Sequence, residues 1–253
     1  MSGPKVEVIA ATCFFGVPSR FSASRDQDQG SDGARLIECA GRVCYQSYGK
    51  GRSSQAFAAH LLEVDHGSVL EHYSLSFLIS GISRGCSHEL VRHRVGTAIS
   101  QRSTRYVDET TSDWAWHPAL RVDEDQRILA DLSHFAHEAR DLYAMLMERL
   151  VKHVGLKQAR GAARGILGNA LSTELVWTAN LRILRHVIAM RASEYADAEI
   201  RLLANRLYEA AKPLVPEYLS DGVETPCADG FGYSVRWRRG LEEEESPSGA
   251  GNS

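Results

Sequence analysis

The sequence predicts an α+β fold: a helix-rich single domain over residues 1–240, with a small antiparallel sheet and a separate tail at 241–253. Three observations lead there. Long segments repeat apolar residues at three- and four-residue spacing, the helical period. A few short segments alternate apolar with small polar residues, the period of a strand. Strands and helices do not alternate regularly, as a doubly wound parallel sheet would require. With 253 residues, 43% of them hydrophobic, the chain can bury a substantial core.

Taken in order, "VEVIAATCFFGV" (6–17) reads as a buried strand; Glu7 and the lack of a small-residue cleavage site argue against a secretion signal. "PSRFSASRDQDQGSDG" (18–33) is polar and aperiodic, a surface loop. "ARLIECAGRVCYQSY" (34–48) and "SSQAFAAHLLEVDHG" (53–67) read as helices, the second stopped by Gly67. "YSLSFLISGIS" (73–83) is a strand, and "RGCSHELVRHR" (84–94) a helix running straight into a basic loop. Residues 123–155 keep helical periodicity for about eight or nine turns. Then come a helix "KQARGAARGIL" (157–167), a strand "TELVWTANL" (173–181) and helices at 182–193 and 196–214, the last closed by Pro213 and Pro216. The tail "LEEEESPSGAGNS" is acidic and then low-complexity, with too little apolar surface to fold. No internal repeat and no membrane-length apolar run is present.

The chemistry concentrates in "RHRVGTAISQRSTRY" (92–106), with four arginines, one histidine and no acid in fifteen positions. A formal net charge of −3 argues against a general nucleic-acid binder, because backbone binding needs a broadly basic surface. Local positive charge favours a pocket for a phosphorylated small molecule, since guanidinium forks bind phosphate oxygens bidentately and Ser100, Ser103 and Thr104 add hydroxyl donors. A solvated basic face paired with the acidic tail is the plainer alternative. A second set, Arg164, Asn180, Arg182, Arg185, His186 and Arg191, gathers in the last third, much of it on an otherwise apolar helix that would face either an anionic ligand or an acidic subunit interface. Neither a Gly-rich dinucleotide fingerprint nor a P-loop occurs. His66, His72, His88 and His93 lack metal-ligand spacing, and His60, His134 and His137 read as satisfied hydrogen-bonding residues on amphipathic helices. Cys13, Cys39, Cys44, Cys86 and Cys227 form no C-x-x-C pair and an odd number, which fits a reducing cytoplasm.

These residues resemble the flavin-dependent thymidylate synthases, whose signature runs from R-H-R through a serine to R-Y; "CAGRVCYQS", "HGSVLEHYSLSFLISGISRGCSHELVRHR" and "AMRASEYADAEIRLLA" follow in the family's order. The resemblance implies that family's fold and a homotetramer with shared active sites. It implies FAD as cofactor, with NADPH and methylenetetrahydrofolate as co-substrates. Carried over, Ser68, Arg92, His93, Arg94, Asn180, Leu181, Arg182 and His186 would hold FAD. Glu89, Arg92, Gln101, Arg102, Ser103, Arg105, Arg164 and Arg191 would hold a uridine nucleotide, with Arg191 and Ser103 acting at the reaction centre. Arg191 would stabilise charge on the uracil as C5 becomes nucleophilic.

Three departures from the family pattern occur. The basic loop is one residue longer at Val95–Ile99, Tyr195 replaces a common histidine, and Gly168 a frequent proline. The longer loop suggests room for a 2′-hydroxyl, as in the uridylate C5-methylases of nucleoside-antibiotic pathways such as polyoxin biosynthesis. The expected activity is therefore reductive C5-methylation of UMP and/or dUMP. An ordinary dUMP-specific synthase is the alternative, and a nucleic-acid-binding protein using Arg92–Arg105 the alternative from another class.

Overall fold

The computed structural model describes residues 3–17, 30–47, 53–121 and 127–238. The expected loop at 18–29, the helix start at 123–126 and the tail at 241–253 lie outside these residues. The architecture is α+β: a four-stranded antiparallel sheet in the order β1-β2-β4-β3, with helices packed on one face. Its strands are β1 (Lys5–Ala11), β2 (Ser74–Ser83), β3 (Thr97–Gln101) and β4 (Ser172–Asn180).

Alternation decides which side of the sheet is covered. In β2, Leu75, Phe77 and Ile79 are buried while Ser74, Ser76 and Ser80 are half-exposed. In β4, Leu175, Trp177 and Ala179 turn inward and Glu174 outward. The inward set joins α1 (Asp32–Tyr45), α2 (Ser54–Glu63), α6 (Leu181–Arg191) and α7 (Ala198–Ala211) in one apolar core. The first strand is not buried as expected. It is the outermost strand, its charges Lys5 and Glu7 alternate with Val6 and Val8, and Ile9 is 52% exposed.

Local chemistry sets where elements end. Helix α2 stops at Glu63, before Gly67, because Asp65 takes the left-handed conformation (φ 53°); Gly67 opens a 3-10 turn, Gly67–His72. Gly81 (φ 69°) allows the register shift between Ile79 and Ile82, so that both Ile82 and Ser83 are buried. Ser83 then caps α3 (Arg84–Leu90), accepting from the Cys86 amide at 2.9 Å. Helix α3 ends four residues earlier than expected, so Arg92, His93 and Arg94 lie on a turn. The basic segment is not all loop: Thr97–Gln101 is strand β3, paired with β4 from Ala179 to Leu175.

Helix α4 (Arg127–Val154) is 28 residues long, yet buries only Ala136, Ala139 and Tyr143. It flanks a second, smaller apolar cluster around Trp114, Trp116 and Leu171, and α5 (Leu156–Ala163) packs against α4. Ile128, Phe135, Leu142 and Met145 remain exposed along α4. A hairpin of β5 (Gly222–Pro226) and β6 (Tyr233–Trp237), unforeseen from its short strands, closes over α6 and α7.

Candidate active site

The expected site residues fall at two ends of the sheet. At the end marked by Ser74, Thr97 and Asn180 sit the Arg92–Arg94 turn, the 3-10 turn bearing Ser68, and the start of α6. Asn180 caps α6, its Oδ1 accepting from the Ile183 amide at 3.0 Å, and its own amide donates to Gly96 O at 3.0 Å. Arg182 and the exposed His186 follow on α6.

Arg191, at the last position of α6, reaches back to α3. Its Nη1 donates to Glu89 Oε2 at 2.8 Å, and its Nε donates to His93 Nε2 at 3.0 Å. Arginine is a permanent cation with no acceptor, so Nε2 of His93 must be the unprotonated nitrogen and its proton sits on Nδ1. Burial lowers the His93 pKa, and the nearby Arg191 and His186 lower it further, which keeps the imidazole neutral. His186 meets it edge-on, centroids 5.9 Å apart. The result is a chain Glu89–Arg191–His93 with a cation oriented at both ends.

At the other end of β3 a second cationic cluster forms. Arg164 Nη1 donates to Thr104 Oγ1 at 3.2 Å, and Arg105 is exposed beside Gly161. Arg84, absent from the sequence-based expectations, joins them. Burial lowers its pKa, the buried Glu109 counters this, and the like charges of Arg164 and Arg102 add to the lowering. Its side chain makes no hydrogen bond among the described residues. Its sequence signature was slight: one arginine after a serine in an apolar run, "GISRG".

Three expected contacts are turned inward. The Gln101 amide donates to Ser87 Oγ (2.8 Å) and Thr173 Oγ1 (3.1 Å), because its β3 position faces α3. Arg102 Nη2 donates to Ser172 O (2.5 Å) and to Glu109 Oε2 (3.3 Å), whose carboxylate is fully buried. Leu181 is 1% exposed in the core, its amide given to Tyr73 O. Ser103 shapes the turn: its carbonyl accepts from Tyr106 and Val107, and its Oγ from the Arg105 amide. The arginines of α6 each face a carboxylate of the same chain: Arg182 with Glu71 (2.6 Å), Arg185 with Asp221 (2.7 Å), Arg191 with Glu89. No ligand or second subunit is needed to balance them.

Behind α3 lies a buried carboxylate the sequence did not mark. Glu199 accepts from Ser83 N at 2.7 Å and Ser83 Oγ at 2.6 Å. Burial raises its pKa, and the two bonds from Ser83 oppose that rise. Among the described residues, no group of three or more His, Cys, Asp or Glu side chains is placed to hold a metal, and no helix is long and apolar enough to cross a membrane.

Two arginine clusters, a neutral histidine held by an arginine, and a capped helix start without a Rossmann sheet make up an enzyme-like site rich in groups that can bind anions. The family described as thymidylate synthase complementing protein matches residues 28–217. Proteins named flavin-dependent thymidylate synthase from Mycolicibacterium gilvum and Mycobacteroides abscessus are each 41% identical, over 89% and 91% of this chain and 92% and 94% of their own lengths. One of the same name from Mycobacterium tuberculosis is 42% identical over 89% of this chain and 92% of its own. The chain belongs to the flavin-dependent thymidylate synthase family.

Proposed function

We propose that this protein methylates C5 of deoxyuridine 5′-monophosphate reductively, with FAD as cofactor, methylenetetrahydrofolate as one-carbon donor and NADPH as reductant. The Glu89–Arg191–His93 chain carries the reading. It holds a cation rigidly in a half-buried setting, where a uracil ring developing negative charge would be stabilised. Arg105, Arg164 and Arg84 would take the nucleotide phosphate. Arg102 and Gln101 would shape that turn from inside, and Ser103 would orient the nucleotide.

The residues present fit a flavin dinucleotide. A Cβ at Gly67 would come within 3.0 Å of Arg182 Nε, so the turn bearing Ser68 and the first turn of α6 meet across bare backbone. Arg92 and Arg94, exposed and without side-chain hydrogen bonds among the described residues, lie on the turn that Gly96 ties to Asn180. Ser68, Arg92, Arg94, Asn180 and Arg182 would hold the cofactor, with His93 and His186 beside it and Leu181 contributing backbone only. FAD supplies the reducing equivalents when bound; the protein's own part is to orient the uracil, keep His93 neutral and fix the phosphate.

Deoxyribose is favoured over ribose because the mycobacterial relatives carry the thymidylate synthase name over nine-tenths of the chain. The longer loop lends UMP no support: Val95 is 84% exposed, Gly96 takes φ 69°, and from Thr97 the strand is in regular register. The two clusters are separated by the length of β3, roughly 15 Å. That separation and the uncovered apolar stripe of α4 support a homotetramer with shared active sites, in the cytoplasm given five free cysteines. The test is the purified protein's flavin spectrum, followed by dTMP formation from dUMP against UMP with both co-substrates. A colourless protein, or UMP turned over faster than dUMP, overturns the reading.

A further inference from the structure

Helix α3 is only seven residues long, but it carries Arg84 at one end and Glu89 at the other, and it leads directly into Arg92–Arg94. What fixes its rotation about its own axis therefore places Arg84 in one cluster and Glu89 and the Arg92–Arg94 turn in the other. On its buried face Cys86 and Leu90 are apolar and do not set an angle sharply, while Ser87 accepts from the Gln101 amide at 2.8 Å on the side facing β3. The contact that ties it to α7 is at its start. Ser83 offers two donors, its amide and its hydroxyl, and both go to the carboxylate of Glu199, 116 positions away, at 2.7 and 2.6 Å. The same hydroxyl oxygen accepts from the Cys86 amide at 2.9 Å. Both donors of Ser83 are thus used, and a group with two acceptors is needed to satisfy them together. Glu199 is 7% exposed and lies in the first turn of α7, behind the Asp197 cap, so it cannot follow α3 if α3 turns.

We propose that Glu199 is a positioning residue of the active site, setting the angle of α3 through Ser83 and hence the register of Glu89 and His93 against Arg191. A carboxamide at this position offers one acceptor to the two Ser83 donors, so either the Ser83 amide or its hydroxyl proton would lose its partner. The displacement required to relieve this is carried along a short, stiff helix to Glu89. This inference rests on the proposed thymidylate synthase reading only for its kinetic arm.

The test uses the full chain with Glu199→Gln, Glu199→Asp and, as control, Asn205→Ala. Asn205 sits on the same helix, buried, with two bonds to Tyr233 in the C-terminal hairpin and none to Ser83. All three variants should lose thermal stability. Only the Glu199 variants should lower kcat for dUMP, by about tenfold to a hundredfold, as small misplacements of reacting groups do. Only they should move the His93 imidazole titration, read by NMR, back toward its ordinary value as Arg191 disengages. The NMR arm needs no turnover, so a wild type inactive on dUMP sinks the functional reading while leaving this one to be judged. If Glu199→Gln and Glu199→Asp keep wild-type kcat and His93 titration, or if Asn205→Ala changes both equally, the proposal is wrong. Failure of both Glu199 variants to fold also counts against it, since it would make Glu199 a scaffold residue.

Discussion

Replacing Gly96 by alanine tests how the longer basic loop is tied to the start of α6. Gly96 sits at φ 69°, and a Cβ there would meet Asn180 Nδ2 at 2.5 Å. A non-glycine residue in the left-handed region costs about 1–2 kcal/mol, of which ~0.4–1 returns through the less flexible unfolded chain. Relieving the contact means rotating the Asn180 side chain, whose cap on Ile183 contributes about 1 kcal/mol. The sum is about 1–2.5 kcal/mol, or a fall of about 2–10 °C in Tm for a chain of this size. Asn180→Ala alone should cost about 1 kcal/mol. In the double variant the overlap is gone and the cap is lost only once, so it should be about 1 kcal/mol more stable than the two singles added together. Thermal and urea denaturation of the four proteins at one fixed concentration measure this. A Gly96→Ala protein melting within about 1 °C of wild type, or strict additivity, would refute the steric coupling.

Arg191→Ala should abolish methylation while flavin remains bound, with kcat reduced ~10²–10³-fold; a variant keeping a tenth of the wild-type rate contradicts its role at the uracil. Arg84→Ala should raise the KM for dUMP by roughly tenfold or more with kcat little altered, as loss of a charge-assisted phosphate contact would; an unchanged KM removes Arg84 from the phosphate site. His93, its pKa held below the ordinary 6.5 by burial and by Arg191 and His186, binds its proton less readily folded than unfolded. Its contribution to stability is therefore present above pH 6.5 and lost as pH falls from there through the lower folded value. Melting temperatures between pH 7.5 and 5.5 should decline more steeply for wild type than for His93→Gln; parallel curves would refute it.

The sequence made most of the scaffold legible because the core-forming segments obey their periods. The alternation in 73–83 and 173–181 foretold strands whose inward residues are now the buried ones, and the apolar spacing of 127–154 foretold α4. What escaped was decided by contacts distant in sequence. The basic segment was legible as a ligand loop but not as an edge strand, since Thr97–Gln101 is a strand by virtue of pairing with Leu175–Ala179. Periodicity could not tell which arginines face a ligand: Arg102 is spent on a carboxylate seven residues on, while Arg84, distant in sequence, stands beside Arg102 and Arg164 where β2 ends. Glu199 looked like one more acid in an amphipathic helix, because its partner Ser83 is 116 positions away.

Helix α4 has a bearing on how the protein's stability must be quoted. It is a rod of roughly 42 Å that shelters three of its side chains and leaves a greasy seam of Ile128, Phe135, Leu142 and Met145 facing water. In the proposed homotetramer another copy covering that seam would bind the native form alone and draw the unfolding equilibrium back by mass action. On that proposal the melting point is a property of the solution as much as of the chain, rising with protein concentration, and a value given without its concentration has no fixed meaning.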